Sequence, residues 1–393
     1  MRKLLLCLAL VAVSGLLAVR PVAAAESIKV GFISTLSGPS AALGVDIRDA
    51  FLLAVKLRGG KLGGITADVS VADDQLSPET GVQIADRMLK RDHVNVLTGI
   101  VFSNVLLAVA PKAFEANTVY ISPNAGPTQF AGEQCNRLFF STAWQNDLNN
   151  GAPGLLATQR HYESVLVIAP NYQAGKDAVA GFKSFYKGRI IDELYTKLGQ
   201  LDYSAELAQI RASSPQAVFF FLPGGMGINF IKQFVSSGLS KDTTLLTAGV
   251  GADADIIRAV GDPMLGLFNT SHWATDLPND ANKAFVAAFE KEYSRIPTQY
   301  AAQGYDDALL IDAAVRDVKG HVENQEAFIA ALRAKKFASV RGDFHWGVNN
   351  YPVQDWYLRI VARDSSGRLV NKTIGTVAKQ LPDGNAARCT LKW

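Results

Sequence analysis

The sequence has few cysteines and lacks the short motifs of common catalytic sites. It contains three cysteines and five histidines among its 393 residues. The serine-hydrolase pattern G-x-S-x-G, the zinc-protease pattern H-E-x-x-H, the pair C-x-x-C and the Walker-type phosphate loop do not occur. The histidines are scattered along the chain, so we assign them to surface or hinge positions. We therefore predict no catalytic residue, no bound metal, no cofactor and no enzymatic activity.

A cluster of basic residues is also missing. Arg2, Lys3 and Arg20 are the only charged residues among the first 25, and the rest of the chain has 36 basic and 36 acidic residues. Proteins that bind nucleic acids concentrate Lys and Arg against the phosphates, usually in patches. This balance argues against a nucleic-acid partner.

The first 25 residues have the three parts of a secretory signal peptide. Basic residues near the start are followed by an apolar stretch from Leu4 to Val19 and by the small residues Ala23 to Ala25. A membrane anchor is the alternative, but the stretch is short for a spanning helix. Cys7 does not follow the small residue that lipoprotein processing needs. We predict cleavage after Ala25, export, and no membrane span in the remaining chain.

Cys135 and Cys389 are the two cysteines that remain after such a cleavage. An even pair in an oxidising compartment indicates one disulfide. Two unrelated free thiols are the alternative. We predict the disulfide.

Strand-like and helix-like segments alternate along the chain, which predicts an α/β fold with mainly parallel sheets. The alternation begins with a strand at Ile28 to Ser34 and restarts after the polar stretch Gln145 to Asn150. From residue 281 onward consecutive helices precede a hairpin-like segment, 356–363, and a polar tail. The length predicts two lobes, and we expect the chain to cross between them three times and so form a hinge. We divide the chain into a signal peptide (1–25), lobe 1 (26–141 plus 272–348) and lobe 2 (142–271 plus 349–393).

Three patterns favour an enzyme, but each has a simpler explanation. The segment 249–254 matches G-x-G-x-x-A, yet its strand is not the first of its lobe and no acidic residue stands at the expected distance before Asp276. Asp73-Asp74 ends a strand just before a capped helix, where the positive end of the helix dipole stabilises acidic side chains. Asp306-Asp307 are neighbours on a helix and point in different directions. A binding protein fits these patterns better.

The loops that follow strands are the candidate ligand contacts. In open α/β sheets, ligands bind beyond the carboxyl ends of the strands, where helix N-termini present unpaired N–H groups to anions. In lobe 1 these loops are 36–44, 101–104 and 123–128. Ser103 begins a helix after the third strand, so its hydroxyl and the neighbouring N–H groups are suited to hold a carboxylate. A plain N-cap is the other interpretation.

Six segments stand in one collinear order over nearly the whole chain after residue 25. They are IKVGFISTLSGPSAALG, DDQLSPETGVQIADRML, ISPNAGPTQF, APNYQAGKD, LDYSAELAQIRASSPQAVFFFLPGGMG and AAQGYDDALLIDAAV. Together they resemble the type I periplasmic binding proteins, and among these the branched-chain amino-acid-type receptors of ABC importers. The resemblance implies two Rossmann-like lobes joined by a three-strand hinge. It also implies a periplasmic receptor that binds a small molecule between these lobes and docks on permease subunits. We expect a monomer.

The resemblance also implies roles for particular residues. Ser103 matches the serine that holds the ligand carboxylate, and Asn124 and Gly126 lie in the loop that completes this contact. Members that bind amino acids carry threonine where this chain has Gly126. Leu43 replaces an aromatic wall residue, and no acid stands near Val250, where the family holds the ligand ammonium. The remaining predicted ligand contacts are Phe102, Trp144, Tyr172, Pro223 and Gln303.

The missing acid near Val250 argues against an α-amino acid. A buried ammonium group without a carboxylate partner costs roughly several kcal/mol. Phe102, Trp144 and Tyr172 instead offer flat apolar walls that suit an aromatic ring. The chain is similar to the subgroup of receptors that bind benzoates and hydroxycinnamates, so we predict an aromatic carboxylate ligand. A branched-chain amino acid or amide receptor and a ligand-sensing module for a signalling partner are the alternatives.

Overall fold

A computed structural model describes residues 25–393. The predicted signal peptide lies outside the described residues, except for Ala25. Within 25–393, no helix combines the length and the apolar character that crossing a membrane would require.

The described residues alternate between strands and helices, as predicted. The strands are β1 (Ser27–Ser34), β2 (Lys61–Leu62), β3 (Ile65–Asp73), β4 (Val96–Thr98), β5 (Val119–Ser122), β6 (Phe139–Ser141), β7 (Ser164–Pro170), β8 (Arg189–Thr196), β9 (Ala217–Phe220), β10 (Thr244–Ala248), β11 (Phe268–Ser271), β12 (His345–Trp346), β13 (Pro352–Val353), β14 (Trp356–Arg363) and β15 (Leu369–Ala378). The helices are α1 (Ala41–Leu57), α2 (Pro78–Lys90), α3 (Ser103–Glu115), α4 (Thr128–Ala131), α5 (Asn146–Gln159), α6 (Gln173–Phe185), α7 (Ser204–Ser213), α8 (Gly225–Ser236), α9 (Ala254–Val260), α10 (Asp280–Tyr293), α11 (Gln299–Asp317) and α12 (Gln325–Ala334).

The first sheet has the strand order β2-β3-β1-β4-β5-β6. Its pairs are parallel except for β2 with β3. Parallel sheets are covered on both faces, and their central strands are therefore apolar on both sides. In β1, Ile28, Val30, Phe32 and Ile33 are fully buried. The parallel arrangement places the carboxyl ends of β1, β4 and β5 at one edge, where the predicted ligand loops begin.

The second sheet has the strand order β15-β14-β11-β10-β9-β7-β8. The pairs among β7 to β11 are parallel, whereas β14 and β15 are antiparallel additions. The segment after residue 363, which we predicted only as a polar tail, contains a strand that the prediction missed, because 369–378 pair with β14. This strand is polar because it lies at the edge of the sheet and is largely open to solvent.

The chain passes between the two sheets three times before β15. It leaves the first sheet after β6, returns after β11 so that α11 packs along α1, and leaves again to form β14. These passages lie near the predicted lobe limits, which remain our division of the chain.

The polar stretch 145–150 is a buried helix start and not a surface break. Asn146 and Asn150 are almost fully buried at the beginning of α5. The Asn150 side-chain nitrogen donates to the Asn146 carbonyl at 2.7 Å. Polar side chains that find partners inside the protein do not mark a loop.

The structure joins Cys135 to Cys389 in a disulfide, as predicted, with their Cα atoms 5.6 Å apart. The end of the chain lies against the first lobe, since the Trp393 indole donates to the Val348 carbonyl at 2.7 Å and Arg388 approaches Glu133 at 3.6 Å. The predicted limits place 349–393 with lobe 2. The disulfide brings the residues after β15 back to lobe 1.

Candidate functional site

A small enclosed cavity lies between the two lobes at the carboxyl ends of their strands. Its volume of about 20 Å³ leaves room for one or two water molecules, so the lobes are closed on each other. Eight of the ten predicted ligand contacts line it, and the full lining is Leu43, Val101, Phe102, Ser103, Asn124, Ala125, Trp144, Asn146, Tyr172, Ala174, Phe221, Pro223, Val250 and Tyr300. Gly126 and Gln303 are the two predicted contacts that do not line it.

Helix α3 begins at the cavity with free backbone donors. Its N-cap Phe102 supplies no side-chain cap, and the first N–H bonded within the helix is that of Leu106, which donates to the Phe102 carbonyl at 3.0 Å. The N–H groups of residues 103–105 therefore have no partner in the helix. Ser103, at the first position of the helix, is buried against the cavity.

Helix α6 of the second lobe approaches the same cavity in the same way. Its N-cap Tyr172 supplies no side-chain cap, and the Lys176 N–H donates to the Tyr172 carbonyl at 3.0 Å. The N–H groups of residues 173–175 are thus also without an intrahelical partner. The N-terminus of a helix attracts anions through these groups and through its dipole. Two such termini, one from each lobe, meet at this cavity.

The Asn146 side chain is hydrogen-bonded to groups near both of these helix N-termini. Its side-chain amide nitrogen donates to Ser103 Oγ at 3.1 Å and to Asp177 Oδ2 at 3.0 Å, and its Oδ1 accepts the Gly126 N–H at 3.3 Å. Because Ser103 Oγ already accepts a hydrogen bond, its own O–H remains available to donate. The sequence prediction missed Asn146, although it stands in the polar stretch noted before α5.

Asn124 and Gly126 have different surroundings. The Asn124 side-chain nitrogen donates to the Val101 carbonyl at 2.6 Å, which ties together two of the predicted ligand loops at the cavity wall. Gly126 packs behind the wall, where an added Cβ would lie 2.1 Å from the Trp144 carbonyl oxygen. A threonine at this position would not fit here. The Gly126 N–H is bonded to Asn146, so it is not free to donate to a ligand. The close approach to Trp144 gives Gly126 a packing role.

Gln303 is fully buried on α11, away from the cavity lining. Its backbone carbonyl accepts the Thr142 hydroxyl at 3.3 Å. Within residues 25–393 its side-chain oxygen and nitrogen have no hydrogen-bond partner. The structure thus places Gln303 in the region that joins the lobes.

Aromatic rings form most of the remaining wall. The Phe102 and Tyr172 ring centroids are 6.1 Å apart across the lobes, and Tyr172 stacks on Phe221 at 6.5 Å. Trp144 and Tyr300 meet edge to face at 6.4 Å. Burial raises the pKa of Tyr172, so its hydroxyl stays protonated. The sequence prediction found three of these rings and missed Phe221 and Tyr300.

The cavity lining carries no formally charged side chain. Asp177 does not line the cavity but accepts a hydrogen bond from the lining residue Asn146. Burial raises the pKa of the Asp177 carboxyl. Val250 lines the cavity within a short 3-10 turn, Gly249–Gly251. The strongest electrostatic feature of the cavity is therefore the pair of helix N-termini.

The three enzyme-like patterns have structural roles. An added Cβ on Gly251 would lie 2.3 Å from Thr247 Oγ1, so this glycine serves packing. Asp74 accepts the Thr35 hydroxyl at 2.7 Å and the Leu76 N–H at 2.8 Å, which fixes the loop before α2. Asp306 pairs with Arg341 at 3.2 Å, and Asp307 accepts the Thr98 hydroxyl. No group of three or more potential metal ligands occurs in the part of the chain that the structure describes.

Two α/β lobes that enclose an uncharged, aromatic-lined cavity define a small-molecule receptor. A sequence profile of periplasmic binding proteins matches residues 27–367, and the chain belongs to that family.

Individual relatives are similar over almost their whole lengths. A solute-binding protein of an R. palustris ABC transporter, solved in complex with benzoate, is 31% identical with a TM-score of 0.88, over 93% of this chain and 100% of that one. A Rhodopseudomonas palustris BisB5 relative in complex with 3,4-dihydroxy benzoic acid is 28% identical with a TM-score of 0.86, over 92% and 99%. Leu/Ile/Val-binding protein homolog 6 of Brucella melitensis is 26% identical, over 93% and 95%.

Proposed function

We propose that this protein is the periplasmic receptor of an ABC importer and that its ligand is a small aromatic carboxylate. The receptor binds this ligand between its lobes, delivers it to the permease subunits and catalyses no reaction.

The observation that carries this proposal is the pairing of two helix N-termini with an aromatic wall. The free N–H groups at the starts of α3 and α6, together with the Ser103 hydroxyl, offer donors to a carboxylate. The rings of Phe102, Tyr172 and Trp144 bound the rest of the cavity. An aromatic acid presents this same combination of one anionic end and one flat apolar body. The ligands named for the two R. palustris relatives are of this class.

A branched-chain amino acid is the second candidate, because the Brucella relative carries that description. An α-amino acid would bring an ammonium group into a lining without a carboxylate. Leaving such a charge unpaired in a buried site costs roughly several kcal/mol. The uncharged lining therefore favours the aromatic acid.

Ligand binding requires the lobes to separate and close. A space of about 20 Å³ is too small for an aromatic ring, so the ligand gains access only when the lobes move apart. Contacts made from both lobes at once stabilise the closed form and shift the equilibrium toward it. Permease subunits can then distinguish the loaded receptor from the empty one.

Calorimetric titration of the purified protein tests the ligand class. We expect benzoate or 4-hydroxybenzoate to bind at one site per chain, and leucine and valine to give no heat. Small-angle scattering should show compaction on addition of the aromatic acid. Tight leucine binding without any binding of aromatic acids would establish the amino-acid receptor instead.

A transport assay separates import from sensing. Deletion of the gene should abolish uptake of the radiolabelled aromatic acid at low concentration, and the intact gene should restore it. Unchanged uptake together with retained ligand binding would favour the sensory module.

A further inference from the structure

A second chamber adjoins the ligand cavity between the lobes. Its volume is about 40 Å³, and three residues, Leu43, Val250 and Tyr300, line both spaces. On the lobe 1 side its wall includes Pro39 and Ala42, and on the lobe 2 side it includes the starts of α8 and α9. A ligand that extends past the three shared residues enters this chamber.

One side chain of the chamber has an unused hydrogen-bonding atom. Asp253 is 4% exposed, and its Oδ1 accepts the N–H groups of Ala254 at 2.8 Å and Gln299 at 3.4 Å. Its Oδ2 is buried and has no partner within residues 25–393. A buried polar atom left unpaired costs roughly 1 to 3 kcal/mol, so a native structure needs a reason to keep it.

Two other polar side chains in the chamber, Asp255 and Thr298, are already engaged. Asp255 forms an ion pair with Arg258 on the same helix. The Thr298 hydroxyl donates to Asp46 at 2.6 Å and accepts the Ala301 N–H at 3.2 Å. The remaining wall is apolar and includes Ile228 and Ile256. Asp253 is thus the acidic residue of the chamber lining that has a buried, unpaired carboxyl oxygen.

We propose that Asp253 is a specificity-determining residue, whose free oxygen accepts a hydrogen bond from a donor on the aromatic ring opposite the carboxylate. The inference rests on the proposed function, because the carboxylate must be held at α3 and α6 for the far end of the ring to point toward Leu43, Val250 and Tyr300. A 4-hydroxyl is the simplest such donor. Burial raises the pKa of Asp253, and in the neutral carboxyl group Oδ2 carries the proton, so the hydrogen bond then runs from Oδ2 to the ligand oxygen.

The test compares ligands of similar size with and without the donor. Wild-type protein is titrated with 4-hydroxybenzoate, 4-methylbenzoate and benzoate. We expect 4-hydroxybenzoate to bind about ten- to a hundredfold more tightly than 4-methylbenzoate, as one hydrogen bond to a buried carboxyl group provides. This comparison needs no variant, so it does not depend on the folding of any substitution.

The variant Asp253→Ser assigns the preference to this residue. Serine also serves as an N-cap, so α9 keeps its start. Its side chain has no second polar atom to pair with the ligand, so the ratio of the two dissociation constants should fall toward one. The control Asp255→Asn changes an acid of the same chamber that is already paired, and it should keep the wild-type ratio. Thermal melts check that both variants fold.

Two results would overturn the inference and leave the proposed function intact. One is equal affinity of the wild type for the 4-hydroxy and 4-methyl acids, and the other is an unchanged ratio in Asp253→Ser. Absence of binding by all three acids would instead overturn the proposed function, and the inference with it.

Discussion

The Asn146 side chain donates one hydrogen bond to Ser103 Oγ at 3.1 Å and another to Asp177 Oδ2 at 3.0 Å. Ser103 begins α3 of the first lobe, and Asp177 lies on α6 of the second. One amide therefore joins the two helices whose N-termini face the cavity. The hydrogen bond also fixes the direction in which the Ser103 hydroxyl can donate.

The substitution Asn146→Ala should weaken binding of the aromatic carboxylate about tenfold. It frees the Ser103 side chain to rotate and leaves Asp177 without one of its donors, so a loss of stability of about 1 to 3 kcal/mol should accompany it. Calorimetry and urea denaturation measure the two effects separately.

Asn150→Ala is the matched control, because Asn150 is a buried asparagine one turn further along α5 that donates to the Asn146 carbonyl. It should reduce stability and keep ligand affinity close to that of the wild type. Equal affinity losses in both variants would contradict a specific role for Asn146.

The substitution Ser103→Ala removes the hydroxyl that faces the proposed carboxylate. A hydrogen bond to a charged oxygen contributes about 1.5 to 3 kcal/mol, so affinity should fall by roughly ten- to a hundredfold. The control is Ser34→Ala, because Ser34 is equally buried but donates to the Gly99 carbonyl at 2.8 Å outside the cavity lining. Unchanged affinity in Ser103→Ala, measured by calorimetry, would show that the carboxylate is held elsewhere.

Hydrophobic patterning and capping residues were sufficient to predict most elements. Ser77 caps α2 by accepting the Thr80 N–H at 3.1 Å, and Pro78 is the first residue of that helix, a position where proline favours a helix start. The strand β15 was missed because an edge strand exposes polar residues as a loop does. Local sequence does not distinguish the two, since the difference lies in the partner strand, β14.

The site was predictable mainly where a loop followed a strand, and Trp144 was the one cavity residue predicted in the first crossing between lobes. Ser103 and Asn124 follow β4 and β5, and both line the cavity. Tyr300 and Asn146 start helices that border the cavity only because of the lobe arrangement, which no short-range pattern specifies. Gly126 was assigned by position along the family, but its close approach to the Trp144 carbonyl depends on tertiary packing.

The disulfide should be a major contribution to stability. Cys135 and Cys389 are 254 residues apart, and closing so long a loop lowers the entropy of the unfolded chain by an amount worth at most about 5 kcal/mol. The double substitution Cys135→Ser and Cys389→Ser should lower the free energy of unfolding toward this limit in urea titrations under oxidising conditions. Two titratable thiols in unreduced, denatured wild-type protein would contradict the bridge.

We predict that the stability of the protein depends on pH through the carboxyl group of Asp147. Burial, opposed by a hydrogen bond from Asn385, raises the pKa of Asp147 from 3.8 to about 6. The folded protein thus holds this proton more tightly than the unfolded chain does. The stabilising contribution is complete below pH 3.8 and is lost as pH rises through about 6.

The variant Asp147→Asn removes this titration. Its free energy of unfolding relative to wild type should therefore increase between about pH 4 and pH 7, by about 2 to 3 kcal/mol if each pKa unit is worth about 1.4 kcal/mol. Urea unfolding at several pH values measures the difference.

Asp92→Asn is the control of opposite sign, because a hydrogen bond from Arg91 lowers the pKa of Asp92. Removing that carboxylate should become less favourable as pH rises toward 3.8, the ordinary pKa of Asp, and the difference should stay constant at higher pH. A pH-independent difference between Asp147→Asn and wild type would contradict this prediction. It would show that the Asp147 carboxyl has the same pKa in the folded and unfolded chains.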